Sequence, residues 1–268
     1  MKRRVAYITF ADVIFILILS VSGLLDGVLS ELFYYLGFVI PTAFLILFAK
    51  KEEGGVEFLS LKPSLRDVGV LLPTVAPTLA LVFLISFITS LLLSLIKEPV
   101  ATELTDSVAL DLLIYALLPA LLEEMLFRYA TLPLLVSYSK RWAVIISALL
   151  FSFSHCSLYQ IPYAFVAGVI FATLDLMLGS VWPSFILHFV NNAASIVWIR
   201  ISGNTIASIV YMALVLSLAA VSLVFIFAQR KSYRKALTEV FSGGEVYKPS
   251  HEPILFLAVT LIIAVTAL

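Results

Sequence analysis

The chain has 268 residues, 62% hydrophobic and 13% charged, with a formal net charge of +0. A soluble domain carries about 45–50% apolar and about 25% charged residues and needs a polar exterior, so most of this surface must face lipid. The balanced charge offers no basic field for nucleic acid, and a lone cysteine, Cys156, leaves no internal disulfide framework and no Cys-rich zinc site.

A membrane span needs about 17–25 mostly apolar residues. Taken in chain order, eight segments qualify: 8–25, 32–49, 68–96, 108–137, 142–156, 159–178, 181–201 and 205–228. The first follows Lys2-Arg3-Arg4 and imitates a signal peptide. It is long for such a core, carries Asp12 and lacks a clear cleavage site, so a retained helix is expected. A ninth segment, 254–268, reaches only about 22 Å at 1.5 Å per residue. It either spans a thin bilayer or lies in the interface. Gly54-Gly55 and Gly243-Gly244 mark turns in polar loops, the second within a cytoplasmic loop over 229–253. With no internal repeat, 1–268 reads as one all-α, polytopic transmembrane bundle of eight to nine helices.

Charge gives an independent test of this map. With the N-terminus in the cytoplasm, the inner segments hold 14 of the 17 Lys and Arg residues. They are Lys2, Arg3, Arg4, Lys50, Lys51, Lys62, Arg66, Lys140, Arg141, Arg230, Lys231, Arg234, Lys235 and Lys248. The outer segments hold Lys97 and Arg200, and Arg128 lies within a span. The positive-inside rule favours this orientation; the membrane is expected to be the cell membrane if the source is prokaryotic.

Charge within a span costs at least about 2.5–3.5 kcal/mol at the bilayer centre and marks function by default. The candidates are Glu123, Glu124 and Arg128 on the fourth segment, His155 on the fifth, Asp175 on the sixth and His188 on the seventh. Asp12 and Asp111 sit near span ends, where a carboxylate reaches water. Residues four apart share a helix face, so Glu124 stacks with Arg128. Glu123 points about 100° away, without a partner in its own helix, and is the candidate general base. Pro119 should kink the helix one turn before it and open room for water. The competing reading of this segment is an ion network that only locks helices together.

Phe151 lies one turn before His155 on the same face. A lone apolar-helix histidine is more often a packing residue. His188 and Asn192 are four apart and can donate to one oxygen, which an oxyanion hole requires. An interhelical hydrogen-bond clamp is the plainer alternative. Asp175 ranks below these, as a member of the site or a residue facing a polar crevice. Counted at 1.5 Å per residue, His188 lies nearer the cytoplasmic side than Glu123 or His155, so tilt or kinks must bring them together.

Glu123-Glu124-x-x-x-Arg128, Phe151-x-x-x-His155 and His188-x-x-x-Asn192, in that order on successive helices, resemble the CAAX protease and bacteriocin-processing family of membrane endopeptidases. Leu118-Pro119-Ala120, Ile146-Ser147-Ala148, Ala167-Gly168 and Gly179-Ser180-Val181-Trp182-Pro183 extend the likeness, which covers 117–194. The resemblance implies that Glu123 is the catalytic glutamate and that His155 helps it activate water. It implies that His188 and Asn192 stabilise the oxyanion, with Glu124 and Arg128 supporting. It further implies a peptide or prenylated protein substrate at the lipid bilayer, reached from the cytoplasmic side. Tyr129 stands where the family often has glycine and is expected to narrow the site; Asp175 is not part of the family pattern.

The sequence favours a metal-free site, since no HExxH spacing is present; zinc held by Glu and His is the alternative. Two rival functions remain at this level: a proton-coupled transporter using Glu123, Asp175 and His155, and a catalytically silent membrane regulator. The first lacks the paired broken helices and repeats common in carriers, and the second sits poorly with a complete motif set. No residue pattern marks a substrate-binding subsite or an oligomeric state.

Overall fold

In lipid, a backbone amide finds no water, so apolar runs satisfy their amides internally as helices. The computed structural model describes residues 2–51, 55–95 and 104–241. Over these the chain forms α1 (Lys2–Ser22), α2 (Gly27–Ala49), α3 (Leu65–Leu93), α4 (108–136), α5 (Lys140–Phe153), α6 (Ile161–Leu178), α7 (Trp182–Ile201), α8 (Thr205–Ala228) and α9 (Arg230–Phe241). The chain is an all-α membrane bundle. Six of these helices, α1, α2, α3, α6, α7 and α8, are each long and apolar enough to cross a membrane as they stand.

The other two expected spans take different forms. Helix α5 has 14 residues, about 21 Å, and stops inside the bundle. Helix α4 is one continuous path containing two π-helical stretches, Leu112–Leu117 and Met125–Thr131. Each stretch ends two residues before a proline, Pro119 or Pro133. A proline removes one N–H and crowds the carbonyl four residues back. The wider turn absorbs that misfit: Leu118 N–H donates to Leu113 O and Leu132 N–H to Phe127 O, each five residues back. Between the stretches, the α-helical turn Leu118–Glu124 carries both glutamates.

Part of the loop expected over 229–253 is helical. Tyr233, Leu237 and Phe241 fall four apart on one face of α9, with Lys231 and Lys235 on the opposite face, the pattern of a helix lying in the membrane interface. The remainder of that loop, and the proposed ninth segment 254–268, lie outside the described residues.

Helix α1 pairs with α2, α3 with α8, and α5 with α6. On α6, Ala164, Gly168 and Ala172 form a small-residue seam against α5. A Cβ on Gly168 would meet Ala148 Cα and Phe151 Cδ1, each at 3.1 Å. Lipid offers no hydrophobic force between helices, so close backbone approach is what holds this pair. Phe15 of α1 packs edge-on against Phe38 of α2 and Phe127 of α4, joining the first hairpin to the core.

The α6–α7 turn is covered rather than laid on the bundle surface. Ser60 bridges Ser180 through Ser60 N–H to Gly179 O, at 2.8 Å, and Val181 N–H to Ser60 O, at 3.1 Å. Trp182 Nε1 donates to Leu61 O at 2.7 Å, and Phe58 stacks on Tyr129. The segment 55–62 thus closes the basic end of the bundle. Tyr129 anchors that closure and does not line the central cavity, contrary to the expected narrowing of the site.

Candidate active site

A cavity of about 520 Å³ occupies the middle of the bundle. Glu123, His155, His188 and Asn192 all line it. Glu123 Oε2 lies 4.0 Å from His155 Nε2 and 4.0 Å from His188 Nε2. The depth mismatch expected from residue counting is absent. The π stretch Met125–Thr131 advances less per residue than an α-helix and brings Glu123 toward the basic end, while the covered α6–α7 turn starts α7 further in.

Each histidine is fixed through its other nitrogen. His155 follows the last turn of α5, with Nδ1 2.9 Å from Phe151 O. Ser154 Oγ donates to the same carbonyl at 2.7 Å, so side chains satisfy the end of this helix. Cys156 then adopts φ 46°, a left-handed conformation that costs a non-glycine residue about 1–2 kcal/mol and turns the chain sharply after His155. His188 Nδ1 lies 2.8 Å from Glu124 Oε1. A ring that gives Nδ1–H to a carbonyl or carboxylate turns Nε2 to its other side, and here both Nε2 atoms face Glu123.

Glu124, Arg128 and Asp175 lie behind this set, each essentially without solvent exposure. Arg128 Nε is 3.3 Å from Glu124 Oε2. Its Cζ sits 4.5 Å from the centre of the Phe151 ring and 5.9 Å from that of Phe171. A desolvated guanidinium over an aromatic face gains about 2 kcal/mol, which partly offsets the cost of burying it. Phe151 is the shared wall of the site. Its ring also meets His155 edge-on at 5.1 Å and His188 at 5.4 Å. Glu124 therefore carries two links, one to the arginine of its own helix and one to the histidine of α7.

Asp175 holds α7 rather than the cavity. Its Oδ1 accepts from Ser184 N–H at 3.0 Å, in the first turn of α7, which stands in for an N-cap from the preceding helix. It does not line the cavity. Asp111 also differs from expectation. It is fully buried, pairs with Arg200 and accepts from Thr105 N–H, clamping the start of α4 to the end of α7.

Sequence reasoning missed several lining residues: Tyr34 and Tyr35 on α2, Gln160 and Tyr163 at the start of α6, and Asn191. Asn191 Nδ2 donates to Asn192 Oδ1 at 3.4 Å, which leaves the Asn192 amide N–H₂ free to donate elsewhere. The visible signal was the polar run Asn191, Asn192 and Ser195 on an otherwise apolar span.

Residues 105–194 match the family model described as type II CAAX prenyl endopeptidase Rce1-like. No curated protein and no solved structure matches the chain significantly. The match spans the two π stretches, both glutamates, both histidines and the asparagine. Over that stretch the chain is similar to the type II CAAX prenyl endopeptidases, a family of membrane proteases.

Proposed function

We propose that this membrane endopeptidase hydrolyses its peptide bond with a water activated by Glu123, and that its substrates include CAAX-type prenylated peptides. The supporting observation is the placement of Glu123 Oε2 at 4.0 Å from the Nε2 atoms of both His155 and His188. That separation is too long for a direct hydrogen bond and suits one water bridging them.

In this mechanism Glu123 takes a proton from the water as its oxygen attacks the scissile carbonyl carbon. His155 Nε2 orients the water. The carbonyl oxygen becomes an oxyanion and accepts from the Asn192 amide and from His188 Nε2–H. Glu124 Oε1, 2.8 Å from Nδ1, holds the His188 ring with Nε2 toward the oxyanion. As the C–N bond breaks, Glu123 returns its proton to the leaving amine. Arg128 holds Glu124 in place, and Phe151 packs edge-on against both rings. These are positioning roles.

Zinc fits this set poorly. Ligand atoms about 2.0–2.1 Å from a tetrahedral zinc lie about 3.4 Å apart, which is closer than the 4.0 Å found here. Among the described residues, no group of three or more His, Cys, Asp or Glu is arranged to hold a metal.

The test is cleavage of a fluorogenic farnesylated CAAX peptide by purified protein in detergent, comparing wild type with Glu123→Gln, with and without a zinc chelator. Cleavage by wild type alone, unaffected by chelator, is the expected result. Loss on chelation would move the chemistry to a metal, and a folded wild type that cuts nothing would remove the prenyl-peptide substrate.

A further inference from the structure

Gln229, with φ −96° and ψ 13°, ends α8 and lets the chain turn back, so that α9 touches α5 and α6 as well as α8. Phe241, at the far end of α9, packs against the buried core. At about 100° per residue, Arg230, Lys231, Arg234 and Lys235 fall within an arc of about 140° on this helix, bordered by Leu237 and Phe241. All four cations are exposed, and the helix carries one acidic residue, Glu239.

Lys140 and Arg141 open α5 at the same end of the bundle and are also exposed, with Trp142 next to them. Among the described residues, Lys140, Arg141, Lys231 and Arg234 form no ion pair. The acidic residues Glu52, Glu53, Glu57 and Asp67 all fall between the end of α2 and the first turn of α3. Arg230 marks the depth of this corner. Its Nη1 donates to Phe227 O at 3.1 Å, and its Cζ lies 4.5 Å from the centre of the Phe227 ring, which is exposed on the last turn of α8. A cation held over an outward ring at the last turn of a span sits where hydrocarbon meets headgroup.

We infer that α9 and the start of α5 together form a binding surface for the headgroups of anionic phospholipids in the adjoining leaflet. Setting the orientation of a membrane protein requires cations at one end, but it requires neither a folded helix nor a shared face. Here the cations share one arc of an ordered helix whose apolar edge packs on the bundle, and Arg230 places them at headgroup depth. Phosphate oxygens accept charge-assisted hydrogen bonds from Lys and Arg, and each cation near an anionic surface adds to the attraction. A lipid suits this surface better than an acidic protein because Arg230 and the exposed Trp142 hold it at the bilayer boundary. The surface is separate from the catalytic cavity and does not depend on the peptidase chemistry.

The experiment reconstitutes the full chain in vesicles of equal parts phosphatidylglycerol and phosphatidylcholine, extracts it in mild detergent, and counts the lipids that stay bound by native mass spectrometry. The wild type is expected to retain phosphatidylglycerol over phosphatidylcholine. Lys231→Gln with Arg234→Gln should lower that preference by about fivefold per cation, about 30-fold for the pair. Lys231→Arg should keep it. Lys50→Gln with Lys51→Gln removes the same charge from another corner of the same end and should leave the preference nearly intact. No preference in the wild type, no change in the α9 double variant, or an equal loss in the Lys50 and Lys51 variant would each overturn the inference. If the α9 variant fails to accumulate, Lys140→Gln with Arg141→Gln gives the same test from the other element of the surface. Release of bound phosphatidylglycerol by an equal concentration of soluble glycerol phosphate would make this a free-anion site and overturn the lipid assignment. Peptide cleavage has no part in the readout, so this result and the failure of the peptidase reading remain distinguishable.

Discussion

Helices α6 and α8 are both apolar spans, yet they are used in opposite ways. Helix α8 has the higher mean hydropathy of the two, 2.7 against 1.9, but only 6% of its most apolar window is buried, against 39% for α6. In water the more apolar helix would be the one inside. In lipid, hydropathy carries no such preference, and burial follows small and polar residues instead. Helix α6 is inside because Ala164, Gly168 and Ala172 let α5 come close and because Asp175 must be hidden. Helix α8 has small residues too, but no glycine and no charged side chain to hide; Tyr211 Oη donates to Ala194 O, and most of its other side chains face outward.

If that contrast is right, substitutions on the α4–α7 core should act through chemistry and packing, and those on α8 hardly at all. The largest effect is expected at Glu123. Glu123→Gln should retain the fold and lose about 10²–10⁴-fold in cleavage of a farnesylated CAAX peptide, the range for removing a general base. Circular dichroism and thermal unfolding in detergent would separate this from misfolding. Next comes Arg128→Met, which strands Glu124 beside His188. Removing one partner of a buried pair costs about 3–5 kcal/mol, and the double variant with Glu124→Gln should recover part of that stability. A double variant no more stable than Arg128→Met would mean that the ion pair is not what the arginine contributes.

Asn192→Ala should lower kcat by about 10²–10³-fold with KM nearly unchanged, as expected for a donor that acts in the transition state. A rise in KM alone would make it a substrate-binding residue. Gly168→Ala should cost about 1–3 kcal/mol by overpacking, because the added methyl meets Ala148 backbone as well as the Phe151 ring. Since Phe151 abuts both histidines, cleavage should fall more than stability alone explains. The smallest effect is expected at Leu214, exposed on α8; Leu214→Val should change stability by less than about 0.5 kcal/mol. A large loss there would show that α8 has a protein partner on its outer face, and the contrast with α6 would fail.

Much of the bundle was legible in the residues. The excess of apolar residues required lipid, run lengths placed six spans, and the four-residue spacings put Glu124 with Arg128 and His188 with Asn192. Legibility failed where geometry depends on another segment. Asp111 read as a water-reaching carboxylate because nothing local reveals Arg200, 89 positions away in sequence. Tyr129 was expected in the site because its partner, Phe58, lies in a loop without a pattern of its own. The α9 helix was hidden by its charge, although Tyr233, Leu237 and Phe241 kept helical spacing.

The sequence by itself determined the solvent, the helical class and the set of polar residues that lipid makes too costly to keep without use. Those are local or compositional quantities, fixed by transfer energies and by the 3.6-residue turn. Tertiary structure alone decided that Glu123 lies 4.0 Å from both histidines and that Glu124 joins Arg128 to His188. Each depends on where one helix starts relative to another. That is set by two π stretches, a covered turn and a glycine seam, whose effects appear only when the helices pack.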